Sequence, residues 1–329
     1  MQTGNYYNLA GLSVVLFKLL DAAWGIYMQN NVICVEDLYV EYKSCIAVNH
    51  IDLKVHDGEV LGIIGENGAG KTTTIECIAG INKEFKGNIV VLGNDIKNVR
   101  KSFYNDISVQ LQEASFPEKL KVSEICKLFS SFYKKPIDYN SLLNAFGLEE
   151  KTSTYYGNLS GGQKQKLSIL VALISNARII IMDELTTGLD PQARRNTINI
   201  IKQYTKGRTI LLTTHFMDEA EALCDRVCFM GKGKILKLGK IDELFIECGI
   251  KNKVVFSSED EDIDKYFEKN YYFVEKQGSH ISIMCNEDLL ISEVENILNL
   301  HNVKYSNLQQ QGTRLEDLYF KILGKKVDE

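Results

Sequence analysis

From Val32 to Val55 apolar residues alternate with polar ones or gather in short runs, and the pattern ends at Asp57-Gly58. Alternation bounded by a turn dipeptide predicts an antiparallel layer of at least two strands. Val60 to Ile64 is a short apolar run of the buried-strand type. It leads through the glycine-rich stretch Gly65 to Thr73 into helical spacing over Ile75 to Ile81, an order of strand, glycine loop and helix. Lys119 to Lys134, Tyr139 to Phe146 and Gly161 to Ser175 carry amphipathic helical periodicity, so the middle of the chain, about 115–175, is expected to form a helical subdomain.

Strand patterns return at Ile179 to Met182, Thr209 to Thr213 and Arg226 to Met230, and alternate with helices over Pro191 to Tyr204 and Met217 to Cys224. Such alternation marks an α/β sheet with helices outside it. A helix over Ile241 to Glu247 is followed by short strands at Lys253 to Phe256, Tyr272 to Glu275 and Ile281 to Cys285. Helices over Leu289 to Leu300 and Leu315 to Leu323 then complete a small α+β unit. A boundary near Gly249 divides the chain into an extension over 1–31, a main domain over 32–248 and an accessory domain over 249–329.

The extension has three readings. Leu9 to Met28 is apolar nearly all round and about as long as a membrane span, yet Lys18 and Asp21 lie inside it. Charges at mid-bilayer are costly, and the stretch lacks the basic start and cleavage site of a signal peptide. One reading takes Met28 as the natural start, since the residues after it run directly into the first strand pattern; the others are a membrane-surface helix and a packed or disordered extension.

Composition changes the picture only by exclusion. The chain has 329 residues, 45% hydrophobic and 25% charged, the balance of an ordinary globular protein of two units. A net charge of -5 gives no general attraction for a phosphate backbone, so no nucleic acid partner is expected. The eight cysteines form no Cys-x-x-Cys pair and no metal-binding spacing. They read as buried, reduced structural thiols, Cys224 and Cys228 included, of a cytoplasmic protein.

Three segments carry chemistry. Gly65-Glu66-Asn67-Gly68-Ala69-Gly70-Lys71-Thr72 fits the phosphate-binding pattern G-x-x-x-x-G-K-[ST] in its required place between strand and helix. Backbone amides from Gly65 through Thr73 wrap phosphates, Lys71 meets the terminal ones, and the Thr72 hydroxyl is a Mg²⁺ ligand. The apolar run Ile179 to Met182 ends in Asp183 and Glu184, at the strand edge where open α/β sheets bind ligands. Asp183 is expected to hold Mg²⁺ through water, and Glu184 to act as general base on the attacking water. Leu159-Ser160-Gly161-Gly162-Gln163 opens a helix with Ser160 at its N-cap and glycines that admit a ligand, a second phosphate cradle.

Together, in this order, the three segments resemble the ABC ATPase family, over about Val32 to Glu247. The resemblance implies a P-loop NTPase fold of ABC type, with an antiparallel β layer and a helical subdomain, followed here by the small α+β domain. It implies ATP and Mg²⁺ as cofactors and Leu159 to Gln163 as the family signature. It places Tyr42 on adenine, Gln112 as sensor of Mg²⁺ facing a membrane partner, Asp190 as link between two sites, and His215 at the γ-phosphate. Gln110 leaves the register at Gln112 open. Glu66 and Leu185 stand where the family usually has proline, and the Glu66 charge is expected to point away from the phosphates.

Two such domains pair head to tail, so the partners implied are a second copy or a related ATPase, and an integral-membrane permease on whose inner face the chain sits. The last 80 residues, ending in Leu315 to Leu323, resemble the tail of drug-resistance and polysaccharide-export subunits, a simple dimerisation or capping unit being the alternative; the likeness of the whole chain to exporter subunits implies export. A soluble ABC ATPase acting on DNA or the ribosome is disfavoured: the stretch from Thr73 to Leu159 is too short for a long coiled coil, and there is one glycine loop. A nucleotide-gated regulator fits poorly with the presence of both Glu184 and His215, and a nucleotide kinase leaves the signature segment unexplained.

Overall fold

The computed structural model describes residues 31–43, 45–112, 115–267, 272–285 and 291–324. The expectations about the extension over 1–30 lie outside the described residues. The described residues divide into two compact units, one made of 31–61, 66–213 and 232–234, the other of 62–65, 214–231 and 235–324.

In the first unit, β1 (Asn31–Tyr42) and β2 (Cys45–His56) form the expected antiparallel hairpin, in register from Asn31 opposite His56 to Tyr42 opposite Cys45. β3 (Val60–Ile64) leads into the glycine loop and α1 (Lys71–Ile78). β4 (Lys86–Val91) and the two-residue β5 (Asn94–Asp95) complete the layer in the order β2-β1-β4-β5. β6 (Ile107–Gln110) precedes the helical stretch of α2 (Val122–Ser131), α3 (Tyr139–Ala145) and α4 (Gly161–Ile174). α4 buries every residue from Leu167 to Ile174, which explains its nearly continuous apolar sequence. β7 (Ile179–Asp183) is followed by α5 (Pro191–Tyr204) and β8 (Thr209–Thr214). β7 pairs in parallel with β6 on one side and β8 on the other, and all five of its residues are buried, as a parallel strand covered on both faces requires.

Helix ends differ from the sequence expectation for local reasons. α1 begins at Lys71 rather than Ile75, because Gly70 at its N-cap takes φ 98° and turns the chain into the helix. α2 is shorter than Lys119 to Lys134: Glu124 Oε2 accepts from the backbone N–H of Lys121 at 2.8 Å and starts it there, while Phe132 ends it.

The second unit holds the end of β3, α6 (Met217–Leu223), β9 (Arg226–Gly231), β10 (Lys234–Lys240) and α7 (Ile241–Cys248). It continues with β11 (Asn252–Ser257), α8 (Ile263–Tyr266), β12 (Tyr272–Gln277), β13 (His280–Cys285), α9 (Ile291–Leu300), β14 (Ser306–Gly312) and α10 (Leu315–Gly324). The last four strands form an antiparallel sheet in the order β12-β13-β11-β14. One core joins Phe229, Leu244 and Ile250 to Leu315, Leu318 and Tyr319 of α10. A second, around Phe256, Phe267, Ile283 and Leu298, lies under the sheet.

All eight cysteines are free thiols, five of them buried. Cys45 is the exception to the expected burial: it lies exposed at the tip of the β1–β2 hairpin, and Cys224 and Cys248 are half-buried.

β11 and α10 share a buried ion pair, Lys253 Nζ to Asp317 Oδ1 at 2.5 Å, and Asp317 Oδ2 caps the Arg314 amide at 2.7 Å. Lys253→Met leaves that carboxylate buried without its cation, which is expected to destabilise the chain by about 3–5 kcal/mol. Urea unfolding reads this, and Lys253→Met with Asp317→Asn should recover most of the loss. Equal stability of the single variant and the parent would show that the pair contributes nothing.

Candidate functional site

The glycine loop takes its form from two positions whose backbone favours glycine. Gly68 and Gly70 have φ 81° and 98°, values L side chains rarely adopt. A Cβ on Gly70 would fall 2.3 Å from the Ala47 carbonyl oxygen, so the loop is seated directly on the β2 backbone. Gly233 closes it from the other side, donating its N–H to Ala69 O at 3.1 Å while its carbonyl accepts from Asn49 N–H at 2.8 Å. Ala69 N–H donates to Glu66 O at 3.2 Å, and Thr74 Oγ1 to Gly70 O at 2.8 Å. The Glu66 side chain and Asn67 are exposed, in keeping with the expectation that the Glu66 charge points away.

Lys71 is buried, and its Nζ donates to Glu66 O at 2.9 Å, folding back over the loop. Burial pushes its pKa down, while the negative charges of Glu184 and Asp183 push it up. An ammonium held between backbone oxygen and two carboxylates is ready to meet phosphate oxygens.

Asp183, at the end of β7, is fully buried. Its Oδ1 accepts from Thr213 Oγ1 and lies 3.3 Å from Thr72 Oγ1. Its Oδ2 is buried with no hydrogen-bond partner among the described residues. An orphaned anionic oxygen beside a threonine hydroxyl suits a hard divalent cation, and Mg²⁺ is commonly held by one or two protein oxygens and by nucleotide phosphates rather than by an all-protein cage. No group of three or more His, Cys, Asp or Glu side chains that could hold a metal occurs among the described residues.

Glu184 is buried and has φ 48°, unusual for a residue with a side chain and costing about 1–3 kcal/mol. Its N–H is held by Thr213 O at 3.1 Å and Thr213 Oγ1 at 3.0 Å. Its Oε2 accepts from Gln112 Nε2 at 3.0 Å and from Thr187 Oγ1 at 3.2 Å. Gln112 is thus the glutamine that reaches the carboxylate, whereas the Gln110 amide turns to the O of the next residue, Leu111, at 2.8 Å. Lys71, Thr72, Asp183, Glu184 and Gln112 are brought together as one cluster.

Other expected residues are tied locally. Tyr42 is 46% exposed, enough for a ring to take a stacking partner, and its hydroxyl accepts from Asn82 Nδ2 at 2.8 Å. Ser160 caps α4: its Oγ accepts from Gln163 N–H at 3.3 Å, and Gln163 Oε1 accepts from Ser160 N–H at 3.0 Å. This reciprocal box leaves Gly161 open to solvent, with nothing within 4 Å of an added Cβ. Asp190 caps α5 through the amides of Gln192 and Ala193, and the Ala193 N–H is the largest cause holding its carboxyl below the usual range. Thr73 is half-buried on α1. His215, after β8, is exposed, its ring centroid 4.1 Å from that of Phe216.

Thr213 and Thr187 were missed by sequence reasoning. Thr187 sits three residues after Glu184, the one available signal; Thr213 arrives from another strand and leaves none.

Residues 48–187 match the family model described as ABC transporter. The chain is 34% identical over 217 residues to the methionine import ATP-binding protein MetN of Haemophilus ducreyi, covering 63% of each. It is 28% identical over 279 residues to MetN of Clostridium acetobutylicum, covering 76% of this chain and 80% of that protein. It is 29% identical over 300 residues to the Nod factor export ATP-binding protein I of Rhizobium etli, covering 89% and 93%. A solved ATP-binding subunit of an ABC transporter superposes with TM-score 0.60 at 28% identity, covering 66% of this chain and 92% of that one. The chain spans 16% of the ABC transporter A family member 5 of Dictyostelium discoideum and 63% of the Haemophilus protein. Fold, site and likeness agree on an ATP-hydrolysing P-loop domain with the ABC ATPase fold, and residues 48–187 are similar to the ABC transporter family.

Proposed function

We propose that the chain is the ATP-binding and ATP-hydrolysing subunit of an ABC exporter that drives a separate integral-membrane permease. The main domain would be 32–248, with its helical subdomain at about 115–175 and the accessory domain over 249–329. The observation that supports it most is the cluster in which Lys71 and Thr72 of the glycine loop meet Asp183 and Glu184 at the end of β7.

In this reading the amides of Gly65 to Thr73 cradle the phosphates, Lys71 bridges the terminal ones, and Tyr42 stacks on adenine. Thr72, Asp183 and Gln112 are the residues that would hold Mg²⁺, which when bound with ATP neutralises charge on the transferring phosphoryl group. Glu184 takes the proton of the attacking water, and His215 contacts the γ-phosphate. Ser160, Gly161, Gly162 and Gln163 of one copy close on the nucleotide held by the other, and Asp190 links the two sites. The pair acts on the inner face of the membrane, and no helix among the described residues is long and apolar enough to cross it. Export is favoured because the likeness spans 93% of the Nod factor export protein, against 63% and 80% for the two methionine import proteins. The tail's resemblance to drug-resistance subunits points the same way.

The test is the purified full chain. Mg²⁺-dependent hydrolysis should rise faster than linearly with protein concentration, with a dimer visible by light scattering in ATP. A chain that binds ATP but neither hydrolyses it nor pairs, even with its permease, is a regulator instead. Direction is read by comparing small molecules in cells and medium with parent and Lys71→Met chains: an exported compound accumulates inside in the variant, an imported one outside.

A further inference from the structure

We infer that Thr213 is the positioning residue of the ATP site: one hydroxyl on β8 sets both acidic residues at the end of β7. The inference rests on the ATP-hydrolysis reading above.

Thr213 is fully buried. Its Oγ1 accepts from the Glu184 N–H at 3.0 Å and donates to Asp183 Oδ1. A hydroxyl has a single proton, and a carboxylate can only accept, so the direction of this relay is fixed: amide to hydroxyl to carboxylate. Two consequences follow for the chemistry.

On Asp183, two hydroxyls, Thr213 and Thr72, are gathered at Oδ1, and Oδ2 is left buried without a partner among the described residues. The neighbouring strand thereby selects which carboxylate oxygen is kept for a cation. On Glu184, the N–H is shared between the hydroxyl and the carbonyl of the same threonine, which pins a left-handed backbone and so the direction of the carboxyl group. The hydroxyl of the next residue, Thr214, is engaged elsewhere: its Oγ1 accepts from Phe216 N–H at 2.9 Å.

The test uses the full chain with Thr213→Val, nearly the same shape without the hydroxyl, and Thr213→Ser, which restores it. Thr209→Val serves as control, since it removes a comparable bond, from Gly58 N–H at 2.8 Å, at the far end of the same strand. Mn²⁺ binding with a non-hydrolysable ATP analogue is followed by the loss of the free-ion electron-paramagnetic signal, and kcat and KM are measured with Mg²⁺ and ATP. Thr213→Val should bind Mn²⁺ about 10–100-fold more weakly, the usual effect of losing a residue that orients a ligand, with lower kcat and unchanged metal-free nucleotide affinity. Thr213→Ser should recover both, and Thr209→Val should keep both. If the Val chain does not fold, Thr213→Cys, a weak donor of similar size, should fall between Ser and the expected Val values.

Parental Mn²⁺ affinity in Thr213→Val, or in Thr213→Cys where that variant replaces it, overturns the inference. So does a Ser variant that recovers nothing, or a Thr209→Val loss equal to that at Thr213. A parent chain without metal-dependent nucleotide binding defeats the ATPase reading itself, and this inference with it.

Discussion

Glu184→Gln is expected to lower Mg²⁺-dependent ATP hydrolysis by about 10²–10⁴-fold, the range for removing a general base, or about 3–5 kcal/mol in the barrier. The amide oxygen can still accept from Gln112 and Thr187, which hold the carboxylate at 3.0 and 3.2 Å. The backbone tie to Thr213 is untouched. What disappears is the capacity to take a proton, so ATP binding should survive while turnover stops. Such a chain should gather as an ATP-held dimer in light scattering, where the parent passes through that state and leaves it by hydrolysis. Parental turnover in the variant would remove Glu184 from the chemistry. Loss of turnover without the trapped dimer would leave Glu184 as base but remove the paired-site mechanism.

How much of this site was legible in the sequence depends on how far along the chain its partners come from. Gly65 to Thr72 are consecutive, and the constraints on them are local: positive φ at Gly68 and Gly70 and a helix start at Lys71. Asp183 and Glu184 could be placed because an apolar run tells where a buried strand ends. Thr213 and Ala47 could not, because their roles exist only once β8 lies beside β7 and β2 lies under the loop. The same divide governs the fold. β1, β2, β7 and β9 carry apolar runs or alternation. β14, Ser306–Gly312, is almost entirely polar and exposed, and β10 is half-buried throughout its middle. Both are strands because a neighbour offers a ladder, which no periodicity in their own residues announces.

Gly70→Ala should damage the site more than any other change of one methyl group. At φ 98° an alanine is strained, and its Cβ would lie 2.3 Å from the Ala47 carbonyl oxygen and 3.5 Å from Gly233 Cα, backbone on both sides with no flexible side chain to yield. Strain of about 1–3 kcal/mol and overpacking of about 1–3 kcal/mol both fall on the residue that caps α1 and precedes Lys71. The loop must lift from β2. A shift of about 1 Å in a positioning element costs roughly 10²-fold in rate, so hydrolysis should fall by at least that factor and fluorescent-nucleotide binding should weaken with it. Gly68→Ala separates strain from collision: its φ is 81°, but nothing lies within 4 Å of the added carbon, so it should keep most binding at a cost of about 1 kcal/mol. Gly87→Ala separates damage to the fold from damage to the site. Its Cβ would meet Asp37 O at 2.2 Å in the β1–β4 pairing, so it should lower stability in urea as Gly70→Ala does, yet leave the folded fraction able to bind ATP. Equal nucleotide affinity in Gly70→Ala and Gly68→Ala would mean that the seat on Ala47 does not hold the phosphate loop in its binding form.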